Sequence, residues 1–520
     1  METLHRSNAA PVKSISGTGI KSTNPASGEV LGEVPNAGPE EVRIAVARAR
    51  AAQESWGLLS VAERSRRLFW FRDAIVTRSE EIVDLLTRET GKPRIEALTH
   101  EILVVADLIT FYAKHAADIL APRQIGLHLM KHRRSYVHHA PLGVVGVISP
   151  WNFPFSIPLS ETVTALFVGN AVVVKPSEVT PLIALKAKEI YDAAGLPPDL
   201  FQVVTGDGRT GAALIDAGVD KIVFTGSVAG GRKVAAACGE RLIPCTMELG
   251  GKAAAIVCED ADLERTARAI VWGGFANNGQ VCVSVERVLA VDAVHDRLVD
   301  RVVELTGKLR QGDPSYDEVE LGAITFPRQI ENAERLIADA VSKGATVRTG
   351  GKRVAGKGLF FEPTVLTGCT TQMDVMKEEI FGPVVPIMKV PDEREAIRIA
   401  NDSRLGLAGY VFTRDRDRGK RLAEQIRAGS VQVNDVLTSY GVTDAPFGGV
   451  KDSGFGRVHG PEGLLAMCEV RHVNLDRFSP MKREPTWYPY SNKSYRVALK
   501  AIRFMFGPGG VLERVTSILG

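Results

Sequence analysis

The sequence predicts an α/β protein. It has a Rossmann-like, doubly wound parallel sheet in one domain, a second α/β domain, and a small β ribbon. Three observations carry this expectation. Short β-rich runs (VVGVIS, AVVVKPS, FQVVTG, KIVFTGS, AAAIVC) mostly end in glycine, proline or serine. Helical segments such as PLIALKAKEIYDAAG lie between several of them. The runs are apolar rather than alternating, as strands buried on both faces must be. With 520 residues the chain is long enough for two or more large cores.

At the N-terminus, METLHRSNAAPVKS has no apolar stretch, so no secretory signal is expected. PEEVRIAVARARAAQESW and LSVAERSRRLFWFRDAIVTRSEEIVDLLTRETG place apolar residues at helical spacing. Helices are therefore expected from about Pro39 to Ala117, with Pro39 at the first start and Gly91 as a stop. Arg123 to His139 is polar and alternating and reads as a two-stranded ribbon. The strand–helix alternation follows, and ligands of such sheets sit at the carboxyl ends of the strands. A second α/β unit starts near Gly250 and runs through HDRLVDRVVELTGKL, ENAERLIADAVSKGA and EREAIRIANDS. No short internal repeat is evident. From about Asp476 the chain is irregular, basic and aromatic, and ends in one amphipathic helix.

The composition is 45% apolar and 24% charged, with a formal net charge of +3. Nothing in it points to nucleic acid as a partner. Six cysteines (Cys238, Cys245, Cys258, Cys282, Cys369, Cys468) show no CxxC pair and no metal-ligand spacing. Neither a metal site nor a disulfide framework is expected, and a reducing, cytoplasmic setting fits. No apolar run is long enough for a membrane-spanning helix. The run PLGVVGVISPWNFPFSIPL is broken by four prolines.

Three loops at strand ends could hold a nucleotide. Gly206–Gly211 (GDGRTG) is a literal GxGxxG, but the acidic residue expected about 20 positions later is missing. A plain glycine turn explains it as well. FTGSVAGG puts Ser227, Gly230 and Gly231 at a strand-to-helix junction, where free N–H groups can hold phosphate. VVVKPSE offers Lys175 and Glu178 to ribose hydroxyls, and a carboxylate there repels a 2′-phosphate.

Cys282, in NNGQVCVSVERV, reads from its own residues as either a small buried hydrophobe or a nucleophile. No histidine is a local partner, so a Cys–His hydrolase has little support. Asn152, in PWNFP, could donate to an oxyanion. Glu248, in MELGGK, could act as a base with a raised pKa.

PWNFPF, KPSE, FTGS, MELGGK, NNGQVCVSVERV, EEIFGPV and PFGGVKDSGFGR occur in one order over about residues 20 to 475. In this the chain resembles the aldehyde dehydrogenase superfamily. The resemblance implies that Cys282 attacks the aldehyde to give a thiohemiacetal, which loses hydride to become a thioester. It implies Asn152 and the Cys282 N–H as the oxyanion hole, and Glu248 as the base for hydrolysis. NAD is the implied cofactor. Lys175 and Glu178 match the adenosine-ribose contacts, and Ser227 a pyrophosphate contact. Glu379 and Phe381 match the groups that position the nicotinamide ribose and ring. Ile148, Pro150, Trp151, Phe224, Thr225, Gly226 and Leu249 match the same cofactor side. The turn at Gly206 and Gly211 is implied to lie near the adenine, which accounts for its missing acid. Phe153, Ile157, Val281, Val283 and Phe447 either line the aldehyde channel or pack the core.

The resemblance further implies an NAD-binding domain at 1–122 and 142–249 and a catalytic domain at 250–450. Oligomerisation or bridging segments fall at 123–141 and 451–478, with a C-terminal extension at 479–520. A homodimer or homotetramer is implied. Within the family, Glu178 favours NAD over NADP. Glu248 favours hydrolysis over the coenzyme A-acylating alternative. A non-catalytic structural relative is the other alternative, yet thiol, base and amide are all present. Ser160 stands where one type of succinic-semialdehyde enzyme has an arginine. With Val281 and Val283 beside the thiol, this points to an uncharged, apolar or aromatic aldehyde. The extension has three readings: packing on its own or a neighbouring subunit, capping the substrate mouth, or peripheral contact with a membrane through Tyr495 to Phe506.

Overall fold

The computed structural model describes residues 19–315, 318–477, 482, 484, 487–512 and 514–515. The expectation for METLHRSNAAPVKS lies outside them, as does part of the extension at 479–520. The chain forms two compact units. The larger is drawn from residues up to Ala121 and from His139–Val470. The smaller is drawn from Pro122–His138 and the chain from Arg471 onward.

The larger unit opens with an antiparallel hairpin, Ile20–Thr23 against Val30–Val34. Two strands this short, on either side of NPASG, escape a reading based on periodicity. Helices follow at Pro39–Gly57, Val61–Thr77, Ser79–Thr90 and Leu103–Ile119. Their ends have local causes. Ser60 and Glu63 form a reciprocal capping box. Gly91 closes the third helix at φ 78°, where a Cβ would lie 2.6 Å from the Ala323 carbonyl.

A six-stranded sheet runs in the order Gly454–Phe455, Cys245–Glu248, Lys221–Thr225, Val144–Ile148, Ala171–Lys175, Phe201–Val203. Every neighbour is parallel except the first. From Val144–Ile148 the chain winds one way through the 171 and 201 strands, then returns to the other side. The switch point therefore lies beside Val144–Ile148, where doubly wound sheets bind ligands. The register pairs Ile148 with both Lys175 and Phe224, so these three share one row at the carboxyl edge. It also pairs Thr225 with Glu248. Residues 451–470 belong to this unit, because Gly454 and Phe455 pair with Glu248 and Met247.

A seven-stranded sheet forms the second layer system, ordered Thr346–Thr349, Thr364–Thr367, Val384–Val390, Arg287–Val291, Ala254–Val257, Ala408–Phe412, Ser430–Val433. Only its first pair is antiparallel. Its strands bury valine, leucine and alanine on both faces under helices such as Asp292–Thr306 and Pro327–Ser342.

In the smaller unit Arg123–Ile125 pairs antiparallel with Arg133–Pro141. Cys468–Asp476 adds a third strand beside the latter. The ribbon is thus three-stranded rather than two-stranded, and its third strand comes from a distant segment that no local pattern announces. Among the described residues no helix is long and apolar enough to cross a membrane.

Candidate active site

The turn before Cys282 is left-handed. Asn277, Asn278 and Gly279 have φ of 48°, 55° and 70°. Asparagine tolerates this region better than other side chains, and glycine better still. At Gly279 a Cβ would lie 2.2 Å from the Gly382 carbonyl, so only glycine fits. The turn is held from outside. The Asn277 N–H donates to Glu96 at 2.9 Å, and the Thr325 N–H donates to Gln280 Oε1 at 3.0 Å. The Tyr410 hydroxyl donates to the Val283 carbonyl. Gly251 is needed on the opposite side, because a Cβ there would lie 2.1 Å from the Cys282 carbonyl. So NNGQVC is amide- and glycine-rich because its backbone is strained and crowded. Cys282 is partly exposed at the end of that turn.

Asn152 is placed by a buried network. Lys92 donates to Glu101 and, at 2.9 Å, to the Asn152 carbonyl. The second Glu101 oxygen accepts from the Phe155 and Ser156 N–H groups at 3.1 and 2.7 Å, capping the Ser156–Val168 helix. The Asn152 side-chain amide donates to the Gln280 carbonyl at 2.9 Å, which ties it to the cysteine turn. Sequence reading missed Lys92 and Glu101. Their only mark is two charged residues in otherwise helical surroundings.

Glu248 ends its strand, and both carboxylate oxygens are buried without a hydrogen-bond partner. Burial, then the charge of Glu161, holds this carboxyl well above the usual range, against the pull of Arg457. Burial pushes the Cys282 thiol up to about 12, helped by the charges of Glu379 and Glu248. The N–H groups of Cys282 and Val283 point at the sulfur and oppose the rise. Both shifts favour the neutral forms, a thiol and a carboxyl.

Two cavities meet here. One, of about 300 Å³, is lined by Pro150, Trp151, Asn152, Thr225, Gly226, Ser227, Leu249, Glu379 and Phe381. The other, of about 280 Å³, is lined by Phe153, Ile157, Val281, Val283, Phe447 and further apolar side chains. Both include Cys282 and Glu248 in their walls.

On the polar side, Glu379 accepts from the Gly251 N–H at 2.8 Å. Burial, then the charge of Glu286, raises its carboxyl to about 8. Phe381 sits at φ 52° and meets Trp151 edge-on at 5.5 Å. A buried Lys252–Glu286 pair holds this loop, since Glu286 accepts from the Ile380 and Phe381 N–H groups. Ser227 is exposed and caps the Val228–Glu240 helix, its Oγ accepting from the Gly230 N–H at 3.1 Å. Lys175 and Glu178 pair at 3.2 Å beyond the neighbouring strand end. This donor set, a helix start between a lysine–carboxylate pair and a carboxylate-held loop, suits a dinucleotide. Gly206 and Gly211 line neither cavity. The helix they open is capped by the Asp207 carboxylate, which also pairs with Arg209. Gly211 faces Ile148 and Lys175, where a Cβ would find ordinary contact distances of 3.7 and 4.0 Å.

On the apolar side several wall residues carry no motif: Thr99, His100, Trp272, Leu437 and Tyr440. His100 lies on a single π-helical turn, Ala97–Ile102, and burial lowers its ring to about 4. Glu161 is also in this wall, one helical turn beyond Ile157. Burial lifts its carboxyl to about 8, against Lys221. Among the described residues no lysine or arginine lines this cavity. A third cavity, about 630 Å³, adjoins it at Thr99, His100 and Trp272.

The sequence profile described as the Aldehyde dehydrogenase family matches residues 12–473. The 4,4'-diapolycopene aldehyde oxidase of Methylomonas sp is 38% identical over 499 residues, 96% of this chain and 93% of that protein. The mitochondrial succinate-semialdehyde dehydrogenase of Arabidopsis thaliana is 41% identical over 462 residues, 88% of this chain and 86% of that one. The NAD+ complex of an aldehyde dehydrogenase from Bacillus cereus superposes with a TM-score of 0.85 at 35% identity, covering 88% of this chain and 94% of that one. On fold, motif order and these matches, the chain belongs to the aldehyde dehydrogenase family.

Proposed function

We propose that this aldehyde dehydrogenase oxidises an uncharged, apolar or aromatic aldehyde to a free acid with NAD. The observation that carries the reading is the meeting of a cation-free apolar cavity and a polar cavity at Cys282 and Glu248. Cys282 loses its thiol proton to solvent, and its Sγ adds to the carbonyl carbon to give a thiohemiacetal. The Asn152 amide and the Cys282 N–H stabilise the developing oxyanion. When bound, NAD supplies the hydride acceptor that leaves a thioester on the sulfur. Glu248 then takes a proton from water, whose oxygen attacks the thioester and expels the thiolate.

Lys175 and Glu178 hold the adenosine ribose in this reading, with Ser227 at the pyrophosphate and Glu379 and Phe381 at the nicotinamide end. Ile148, Phe224 and the turn at Gly206 and Gly211 back the adenosine side. The half-exposed Glu178 carboxylate supports NAD over NADP, because it would face a 2′-phosphate. The two functional domains are 1–122 with 142–249 for the cofactor, and 250–450 for catalysis. The assembly is a homodimer or homotetramer, in the cytoplasm, with peripheral membrane contact through the C-terminal extension.

Succinate semialdehyde carries a carboxylate, and the apolar cavity offers it no cation. The adjoining third cavity, shared at Thr99, His100 and Trp272, is walled by Arg268, Arg301 and Lys308 as well as by apolar side chains, so a long apolar chain is best accommodated within the first cavity. The test is cofactor reduction across aliphatic aldehydes of rising length, benzaldehyde and succinic semialdehyde, each with NAD and NADP. Efficiency should rise with apolar size and be higher with NAD. Preference for succinic semialdehyde would overturn the substrate reading, and preference for NADP the cofactor reading.

A further inference from the structure

The helix Asn492–Phe506 combines two features that a water-exposed helix cannot use. Ser491 caps its start, its Oγ accepting from the Ser494 N–H at 3.1 Å. Lys493, Arg496, Lys500 and Arg503 follow at spacings of three, four and three. At 100° per residue they fall within an arc of about 80°. Apart from Asn492 and Ser494, the rest of the circumference is apolar: Tyr495, Val497, Leu499, Ile502, Phe504, Met505, Phe506 and two alanines. No residue of the helix is buried. Tyr495, Val497, Ile502, Phe504, Met505 and Phe506 are between 41% and 67% exposed. A helix of this length is marginal in water unless its apolar face is covered.

The charge pattern selects the cover. The helix holds four cations and no acid. A two-fold contact with a second copy through the apolar arc would leave all four cations with no opposite charge to meet. A surface that is apolar inside and anionic outside meets both faces at once. Just before the helix, Trp487, Tyr488 and Tyr490 are exposed, with apolar rings and polar tips suited to the headgroup level. We propose that Asn492–Phe506 lies in the plane of a membrane leaflet, apolar arc in the acyl boundary and Lys493, Arg496, Lys500 and Arg503 at anionic headgroups. This gives the peripheral contact of the proposed function its partner and its face, and rests on that part of the reading alone.

The test is flotation of the full-length enzyme with two kinds of vesicle: pure phosphatidylcholine, and equal parts phosphatidylcholine and phosphatidylglycerol. The enzyme should float with the second and not the first, and salt should release it. Replacing all four cations by glutamine, or Ile502 and Phe506 by aspartate, should each cut flotation at least about tenfold. The paired variant Arg496→Lys, Arg503→Lys should keep it. In every variant the oxidation of a short, water-soluble aldehyde should be unchanged, which separates failure of the anchor from failure of the enzyme. No flotation of the wild type, equal flotation with both vesicles, or full flotation of either disabled variant would overturn the proposal. A wild type that does not bind lipid, with an oligomeric state that the aspartate variant loses, would assign the face to a second copy instead and equally overturn it.

Discussion

The two cavities that meet at Cys282 are of similar volume, about 280 and 300 Å³, but they are built differently. The polar one is walled by residues at strand ends, by Gly226 and Gly250, by a helix start and by a loop pinned by Glu286. The apolar one is walled by side chains from scattered helices and loops. Residues that end strands and start helices are tied to the fold, whereas side chains that face a cavity can change its volume with fewer packed neighbours to disturb. The comparison teaches that one side of this site fixes the chemistry and the other is free to choose the substrate. Strain is concentrated along the same border. Asn277, Asn278, Phe381, Leu437 and His459 all have positive φ and all lie in or beside these walls.

The sharpest way to break the comparison is at the shared sulfur. Cys282→Ala should lower turnover by at least about 10⁴-fold while leaving cofactor binding intact. Cofactor titration by fluorescence and steady-state reduction measure the two separately. Loss of cofactor binding along with activity would mean that the two walls are not independent. Next in size is Glu248→Gln. It should slow thioester hydrolysis by about 10²–10⁴-fold. Rapid mixing should then show a burst of reduced cofactor ahead of a slow steady state. A steady-state rate equal to wild type would remove Glu248 from the role of base.

The same difference explains what could be read from the chain. Close backbone approaches leave letters behind: Gly251 is glycine because Cys282 O comes within 2.1 Å of a would-be Cβ, and Gly279 because of Gly382. MELGGK, NNGQVC and FTGS are legible for that reason. Five strands were legible, Val144–Ile148, Ala171–Lys175, Phe201–Val203, Lys221–Thr225 and Ala254–Val257, mostly as apolar runs; Thr346–Thr349 and Ser430–Val433, partly exposed, left no such run. Thr99, His100, Trp272 and Tyr440 were not, because an apolar or aromatic residue on a helix looks the same whether it faces a core or a cavity. The GDGRTG turn failed for the converse reason. Its letters match a phosphate loop, but Asp207 already fills the helix start with a carboxylate. The third strand of the ribbon was hidden by its distance along the chain.

A smaller effect is expected at the adenosine end. Glu178 is about half exposed and pairs with Lys175 at 3.2 Å. Glu178→Gln removes the negative charge that would face a 2′-phosphate. Because the site is open to solvent, screening limits the gain, and the NADP-to-NAD ratio of kcat/KM should rise about tenfold. An unchanged ratio would mean that the adenosine ribose is read elsewhere along the strand ends.

The smallest and most specific effect lies at Glu161, which looks into the apolar cavity across from the base. Glu248 must be ionised to take a proton, so turnover should rise with pH through its pKa. Burial raises that pKa first, and the charge of Glu161 adds to it. Burial also lifts the Glu161 carboxyl, to about 8, so the two carboxyls titrate against each other. Removing the second charge lowers the cost of ionising Glu248. Glu161→Gln should therefore move the rising limb of the kcat–pH profile toward acid, by less than about one unit. KM for a short neutral aldehyde should stay within about twofold, since the amide keeps the shape of the wall. A limb that stays in place would show that burial alone tunes the base. A limb that moves toward alkali would mean that Glu161 helps Glu248 lose its proton rather than hindering it, and would make the apolar wall part of the chemistry after all.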